Sequence, residues 1–201
     1  MTDPDAERFA PFPLTDQQHA YVVGRTGTVE LGNVSTHAYY EYEGDLDLDR
    51  FRLAWQRAVD RHDMLRAVID VDAGTQRVLE SVPPFAPEVV DLRGLPAGEV
   101  ARRLAGIRDG MSHEVRPAGA YPLFGVVVSR LDDRRARVHV SFDGLTLDYL
   151  SWQLLVADLT AWYDDPDHAA APLGLTFRDY VLAADAARDT EPYRRARRYW
   201  A

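Results

Sequence analysis

In the stretch VHVSFDGLTLDYLS, residues 138–151, a strand pattern is followed directly by a helix pattern. Apolar residues alternate with polar ones from Val138 to Phe142, which is typical of a β-strand with one apolar and one polar face. Asp143 closes this strand on its polar face, and a helix is expected over residues 146–163. The stretch therefore predicts a strand that leads through a short loop into a helix, with carboxylates close to the loop.

Asp148 is expected inside the first turns of that helix. At 100° per residue it falls between Trp152 and Leu155, in an apolar stripe, with Ser151 on the same side. A buried charge must meet an arginine and backbone N–H groups or hold a raised pKa, so Asp148→Ala should destabilise the fold more than Asp143→Ala. Spacing alone favours the plainer roles of a turn residue and a salt-bridge partner. An unpaired carboxylate would instead be available as an acid or a base.

Alternating helical and extended patterns in the rest of the chain predict an α/β (α+β) sandwich. The helix at 146–163 carries apolar residues on two sides, which predicts a central position for it. The other predicted elements are helices at 47–62, 97–109, 176–187 and 191–200, strands at 65–71, 76–80 and 88–91, and a β-hairpin that joins 123–131 to 135–142.

Composition excludes several classes of protein. A chain of 201 residues, 46% hydrophobic and 27% charged, is long enough to form a globular domain. All 23 basic residues are arginine, and the net charge of −9 argues against nucleic-acid binding. The absence of cysteine excludes disulfides, cysteine-ligated zinc and a thiol nucleophile from this chain. Without a signal peptide or a run of about 20 apolar residues, we expect no membrane partner and a cytoplasmic location.

Common catalytic and metal-binding motifs are absent from the sequence. It contains no nucleophile elbow, no P-loop, no glycine-rich dinucleotide motif after a strand and no HExxH. Histidines occur singly at positions 19, 37, 62, 113, 139 and 168, so no metal site is predicted. Residue patterns alone therefore lead no further than an α/β domain.

The pattern Asp143-x4-Asp148-x2-Ser151 resembles the signature of the heterocyclization domains of nonribosomal peptide synthetases, which are relatives of the condensation domains. Condensation domains carry HHxxxDG at this place, and their catalytic second histidine corresponds to Gly144, so the resemblance excludes a mechanism based on that histidine. Further segments resemble the family in the same order: FPLTDQQHAYVVGR at 12–25, NVSTHAYYE at 33–41, RHDMLRAV at 61–68, YPLF at 121–124 and LTFRDYV at 175–181.

The resemblance implies a chloramphenicol-acetyltransferase-like lobe, in which a mixed sheet is flanked by helices. Residues 12–201 would form the N-terminal lobe of such a domain after a flexible leader at 1–11, and the C-terminal lobe would be absent. The site residues that it implies are Asp143, Asp148 and Ser151, with either a chemical or a supporting role. Arg25 and Arg66 lie in two of the motif segments and are the candidate partners of Asp148.

The resemblance also implies a reaction. Carrier proteins would present an acyl or peptidyl thioester and a Cys, Ser or Thr on phosphopantetheine arms, and the domain would join them and close a thiazoline or oxazoline ring. The chain itself would bind no cofactor and no metal. A second hypothesis is a catalytically incomplete module that docks a carrier protein or dimerises through the exposed lobe interface. An acyltransferase with a histidine base is disfavoured by Gly144.

Overall fold

The computed structural model describes residues 7–25, 32 and 34–200. Its strands are β1 (Phe12–Pro13), β2 (His37–Asp45), β3 (Ala67–Asp70), β4 (Thr75–Val78), β5 (Glu88–Asp91), β6 (Phe124–Arg130) and β7 (Arg135–Asp143). Its helices are α1 (Asp16–Arg25), α2 (Leu48–Arg61), α3 (Ala97–Ser112), α4 (Tyr149–Asp164), α5 (Phe177–Ala187) and α6 (Glu191–Trp200). A 3₁₀ turn, Asp63–Arg66, joins α2 to β3.

The larger sheet has the strand order β2-β7-β6-β5 and is mixed. β7 pairs with β2 and β6 in antiparallel fashion, whereas β5 runs parallel to β6. The predicted hairpin between β6 and β7 is confirmed, with Phe124 opposite Phe142. A smaller antiparallel sheet has the order β1-β4-β3.

Helices cover both faces of the larger sheet. On one face, Phe142 of β7 packs with Trp55 of α2 and Trp152 of α4 in the main hydrophobic core. On the opposite face α3 lies against β7 and β2, and Arg108 of α3 forms an ion pair with Glu41 of β2 at 2.6 Å. This arrangement confirms the predicted sandwich of a mixed sheet flanked by helices.

Helix α2 shows how local sequence signals define an element. The Asp47 side chain accepts the backbone N–H groups of Asp49 and Arg50, which satisfies two of the donors left free at a helix start. Ala58 and Val59 are fully buried on its apolar face. The cap and the apolar stripe indicate the same start and the same buried face, and the helix predicted at 47–62 is confirmed. The helices predicted at 97–109, 176–187 and 191–200 are also confirmed, with ends within three residues of the predicted ones.

Three elements have no counterpart among the sequence predictions: β1, α1 and β2. The nine residues of β2, HAYYEYEGD, combine tyrosines, which favour strands, with alanine, glutamate, glycine and aspartate, which do not, so their local preference for a strand is mixed. Each of them is paired with a residue of β7, from His37 opposite Asp143 to Asp45 opposite Arg135. Tertiary pairing therefore forms this strand where local preference does not predict it.

Helix α4 begins at Tyr149, three residues later than predicted, and is not central. Trp152 and Leu155 face the core and are buried. Leu150 and Leu154, on the second apolar side, are 63% and 61% exposed. The prediction that other elements cover both sides is therefore wrong within the described residues, because one side of the helix is open.

The predicted leader over residues 1–11 lies only partly within the described residues. Residues 1–6 lie outside them. Arg8 forms an ion pair with Asp63 at 2.6 Å, and Phe9 packs against the small core cluster of Phe12, Val78 and Val181. The second half of the leader segment is therefore in contact with the domain.

Candidate functional site

Asp143, the last residue of β7, lies at the centre of a buried polar cluster. Its side chain is only 4% exposed, and its Oδ2 accepts hydrogen bonds from the Arg25 guanidinium and, at 2.7 Å, from Ser35 Oγ. Its Oδ1 accepts the backbone N–H of Leu145 at 3.0 Å. Because a buried carboxylate requires an opposite charge and hydrogen bonds, these three partners explain how the fold accommodates Asp143.

Arg25 is the last residue of α1 and connects this cluster to the segment that precedes β6. Its side chain is 8% exposed, and it also donates to Ser35 Oγ at 3.1 Å and to the backbone carbonyl of Arg116. The prediction that Arg25 pairs with Asp148 is wrong. Helix α1 ends beside the end of β7, so the guanidinium meets Asp143 instead.

Asp148 lies outside the helix that was expected to contain it. It is the N-cap residue of α4, with extended backbone angles, and its Oδ1 accepts the backbone N–H of Ser151 at 2.7 Å. That bond and a contact with the Ser151 side chain lower the pKa of Asp148. The residue is exposed, so the predicted burial in an apolar stripe is wrong. The helical-wheel geometry does not apply to a cap residue, because its backbone is not helical.

Arg66, the other candidate partner of Asp148, belongs to a different part of the fold. It is buried and forms an ion pair with Asp63 at 2.8 Å. Its guanidinium also donates to the carbonyls of Asp60 at 2.8 Å and Leu79 at 3.1 Å, and to that of Val59. Arg66 therefore joins the end of α2 to the 3₁₀ turn and to β4, and its predicted pairing with Asp148 is wrong.

Gly144, which follows Asp143, lies in tight contact with the start of β2. Its backbone N–H donates to the carbonyl of Thr36 at 2.6 Å. A Cβ atom at position 144 would stand 2.9 Å from that carbonyl oxygen and 3.3 Å from the Tyr21 ring. Since real Cβ atoms do not approach this closely, the backbone would have to shift before any side chain fitted here.

Gln18 is a buried residue of the site region that sequence reasoning missed. Its side chain lies 2.7 Å from the carbonyl of Leu145 and 2.8 Å from the Gln76 amide, so it ties α1 to the loop after β7. The available signal was a capping box: the Thr15 N–H donates to Gln18 Oε1 at 2.9 Å, and the Gln18 N–H donates to Thr15 Oγ at 3.2 Å. This T-x-x-Q pattern would also have predicted the start of α1.

An open groove of about 1540 Å³ lies beside the loop between β7 and α4. We call it the motif groove. Asp148 and Ser151 line it, whereas Asp143 and Arg25 are not among its lining residues. The structure thus brings two of the motif residues to the groove and encloses the third. The groove is also lined by Gly144, Leu154, His37 and His62.

The two histidines of the motif groove differ in their surroundings. His37, opposite Asp143 in the sheet, has an Nε2 atom that is enclosed and has no hydrogen-bond partner in the described part of the chain. His62 lies 2.9 Å from Asp158 of α4, measured from Nε2 to Oδ2. Burial lowers the pKa of His62, although Asp158 acts in the opposite direction. Sequence reasoning treated both as isolated histidines, because their neighbours come from distant segments.

The described residues contain no group of three or more metal-ligating side chains close enough together to hold a metal ion. Over the same residues, no helix combines the length and the apolar character that crossing a bilayer requires.

Comparison with known proteins identifies the family of the chain. The family model described as Condensation domain matches residues 14–201. The chain is 40% identical over 198 residues to phenyloxazoline synthase MbtB of Mycobacterium tuberculosis, an alignment that covers 94% of this chain and 13% of that protein. It is 35% identical over 189 residues to bacitracin synthase 1 of Bacillus licheniformis, covering 94% of this chain and 4% of that protein. The chain thus spans only a small part of these curated relatives.

Solved structures agree with this result. The cyclization-docking bidomain of the nonribosomal peptide synthetase EpoB from Sorangium cellulosum superposes with a TM-score of 0.92 at 38% identity, covering 100% of this chain and 40% of that one. The starter condensation domain of the rhizomide synthetase RzmA, at 17% identity and a TM-score of 0.74, shares the fold. Because the family model matches nearly the whole chain, the chain belongs to the condensation-domain family.

Proposed function

We propose that this chain is the N-terminal lobe of a heterocyclization domain. Such a domain joins a carrier-bound acyl or peptidyl thioester to a carrier-bound Cys, Ser or Thr and closes the product to a thiazoline or oxazoline. The names of the relatives support this choice: one is a phenyloxazoline synthase, and one similar structure is a cyclization-docking bidomain.

The observation that carries the proposal is the structure around Asp143 and Gly144. Condensation domains have two histidines at these positions. Here the first position holds a carboxylate that is buried with Arg25, and the second has no room for a side chain beneath the Thr36 carbonyl. This part of the chain is therefore built for an aspartate motif and not for a histidine base.

We assign different roles to the three motif residues. Asp143 supports the wall of the groove, because it is enclosed and its carboxylate accepts hydrogen bonds from Arg25, Ser35 and the backbone of Leu145. Asp148 and Ser151 line the groove at the N-terminus of α4, where a carboxylate with a lowered pKa stays ionised and can orient a substrate N–H or ammonium group. Their contribution is the positioning of reactants.

The reaction that we propose has two balanced stages. In the first, the acceptor amine attacks the thioester carbonyl; a C–N bond forms, the C–S bond breaks, and the proton lost by the amine ends on the departing thiol. In the second, the acceptor hydroxyl or thiol attacks the new amide carbonyl, and one molecule of water leaves as the ring forms. Both stages require tethered reactants and proton transfer, which a groove between two lobes can provide.

Two kinds of partner follow from the proposal. Carrier proteins would supply the phosphopantetheine arms. A C-terminal lobe would cover the open side of α4, where Tyr149, Leu150 and Leu154 are each more than 60% exposed. The cytoplasmic location stays a prediction.

Reconstitution tests the proposal. The chain is mixed with a separately produced C-terminal lobe from a heterocyclization domain and with two carrier proteins, one loaded with an acyl group and one with serine or cysteine. Mass spectrometry should detect a product that has lost one water relative to the linear amide. Two control reactions each omit one of the two lobes. A properly assembled pair of lobes that yields neither amide nor ring would overturn the proposal.

A second candidate function, a module that dimerises through the same exposed surface, is favoured by the open apolar side of α4. Light scattering coupled to size exclusion distinguishes the two. The lobe hypothesis predicts a heterodimer with the C-terminal lobe, whereas the module hypothesis predicts a homodimer that persists when the C-terminal lobe is added.

A further inference from the structure

Neither motif aspartate is suited to accept a proton from a substrate. Asp143 is enclosed, and its oxygens accept hydrogen bonds from Arg25, Ser35 and the backbone of Leu145. Asp148 is accessible, but the hydrogen bonds from Ser151 lower its pKa, which makes it a weaker base than an ordinary aspartate. Any group of this lobe that accepts a proton during amide formation is therefore a residue other than these two aspartates.

His62 has the geometry of such a group. Its Nε2 lies 2.9 Å from Asp158 Oδ2, and because a carboxylate only accepts, the neutral ring carries its hydrogen on Nε2. That tautomer leaves a free lone pair on Nδ1, which has no hydrogen-bond partner among the described residues. The side chain is 23% exposed and lines the motif groove. His37 lacks these features, since its Nε2 is enclosed and unpaired.

The backbone holds the histidine and its carboxylate in place. His62 caps the end of α2, with its backbone N–H donating to the Ala58 carbonyl at 2.9 Å. Asp158 lies on α4 seven residues after Ser151, which is about two turns or about 10 Å along the helix and on the same helix face. An extended substrate in the groove can therefore contact Ser151 at one end and His62 at the other.

Burial keeps this histidine neutral near pH 7, although its carboxylate neighbours act in the opposite direction. Besides Asp158 on α4, the groups that act on it are Arg61 on α2 and Asp63 on the 3₁₀ turn. Arg61 shares the same carboxylate oxygen, with Nε at 3.2 Å, and Asp63 is itself paired with Arg66. Burial has the largest effect and lowers the pKa of His62, so the ring is an unprotonated base near neutral pH.

We propose that His62, oriented by Asp158, is the residue that moves protons in the motif groove. As the acceptor amine attacks the thioester carbonyl, Nδ1 takes the N–H proton, the C–N bond forms and the C–S bond breaks. The imidazolium, which the Asp158 carboxylate stabilises, then returns that proton to the departing thiolate. His62 is a catalytic residue in this scheme and Asp158 a positioning residue. The inference rests on the heterocyclization activity proposed above.

Nitrogen NMR on the chain alone tests the geometry without any turnover. With ¹⁵N-labelled histidine, the His62 ring should show the hydrogen on Nε2, and Asp158→Asn should weaken this preference. Addition of an acyl thioester of N-acetylcysteamine, which mimics the end of the carrier arm, should shift the His62 ring signals. A hydrogen on Nδ1, or thioester binding that shifts only signals of the loop at 144–148, would contradict the proposal.

Kinetics of the reconstituted lobes test the role itself. His62→Gln should slow single-turnover amide formation by about a hundredfold, the lower end of what general acid–base catalysis contributes, with unchanged thioester affinity. Asp158→Asn should slow the reaction less. Because the Asp158 carboxylate raises the pKa of His62, its removal should lower that pKa and move the acidic limb of the pH–rate profile to lower pH. His168→Gln, at an exposed site outside the groove lining, is the matched control and should react at the wild-type rate.

The outcomes separate this inference from the proposed function. If the wild-type lobes form no product, heterocyclization itself is contradicted. If the wild type is active and folded His62→Gln protein reacts at the same rate, only the assignment of His62 fails. A purely structural role would lower the melting temperature of both groove variants and leave their pH–rate profiles unchanged, which would also overturn the assignment.

Discussion

The pair of Asp143 and Arg25 leads to a prediction that reverses the expectation drawn from the sequence. Asp143→Ala removes one member of a buried ion pair and leaves the Arg25 guanidinium, 8% exposed, without its counter-charge. Removing one partner of such a pair costs about 3–5 kcal/mol. Asp148→Ala removes only an exposed N-cap, which costs about 1 kcal/mol. We therefore expect the Asp143 variant to be less stable than the Asp148 variant by about 2–4 kcal/mol.

Urea unfolding followed by tryptophan fluorescence measures this difference, because Trp55, Trp152 and Trp162 are buried in the main core. The unfolding slope should be the same in both variants, so that the midpoints report stability. A double replacement, Asp143→Leu with Arg25→Met, is the matched control and should recover much of the loss, since no lone buried charge remains. Equal midpoints for the two alanine variants, or a lower midpoint for the Asp148 variant, would show that the buried pair of Asp143 and Arg25 does not dominate stability here.

Further predictions concern the wall of the groove and the opposite face of the sheet. Gly144→Ala should lower the free energy of unfolding by about 1–3 kcal/mol, as measured by thermal unfolding. Gly106→Ala is the control and should raise the free energy of unfolding by up to about 1 kcal/mol, because a Cβ at that helical position meets nothing within 4 Å. Equal effects of the two substitutions would contradict the close contact at Gly144. Gln18→Ala should lower the free energy of unfolding by about 1–3 kcal/mol and speed amide hydrogen exchange in the loop after β7, because the hydrogen bond to the Leu145 carbonyl is lost. Unchanged exchange in this loop would show that Gln18 does not hold it in place. Arg108 lowers the pKa of Glu41 to about 2, so the ion pair stabilises the fold above the ordinary glutamate pKa, and this stability is lost as the pH falls towards 2. Arg108→Gln should therefore show a smaller fall in urea midpoint on acidification than the wild type, and an equal fall would refute this linkage.

Local patterns predicted those helices and strands for which the capping residues, the spacing of the apolar residues and the amino-acid composition all indicate the same element. Helix α2 has an aspartate cap and an apolar stripe, and the hairpin of β6 and β7 has alternating apolar residues around a polar turn. Strand β2 lacked such agreement, because it forms through its partner β7 and not through its own propensity. Helix α1 was missed because its capping box was overlooked.

The surroundings of the motif residues were predicted in part. The motif stretch predicted a strand, a loop and a helix with carboxylates close to the loop, but the surroundings expected for Asp143 and Asp148 are exchanged: the first is buried and paired, and the second is an exposed cap. A helical wheel assumes that the helix has already begun, and the sequence does not show where the first turn starts. The partners of Asp143 could not be identified either, since Arg25 is 118 residues away along the chain.

The family, the order of the principal strands and helices and the absence of a histidine at position 144 follow from the sequence, because motif identity and periodicity are local properties of the chain. Which charges meet depends on the folded structure. In the folded chain Asp143 is buried in an ion pair with Arg25, Asp148 lines the motif groove, and His62 contacts Asp158. A charge is tolerated inside a protein only where distant segments bring it a partner, so the protonation and the chemistry of these groups depend on contacts that no local pattern contains.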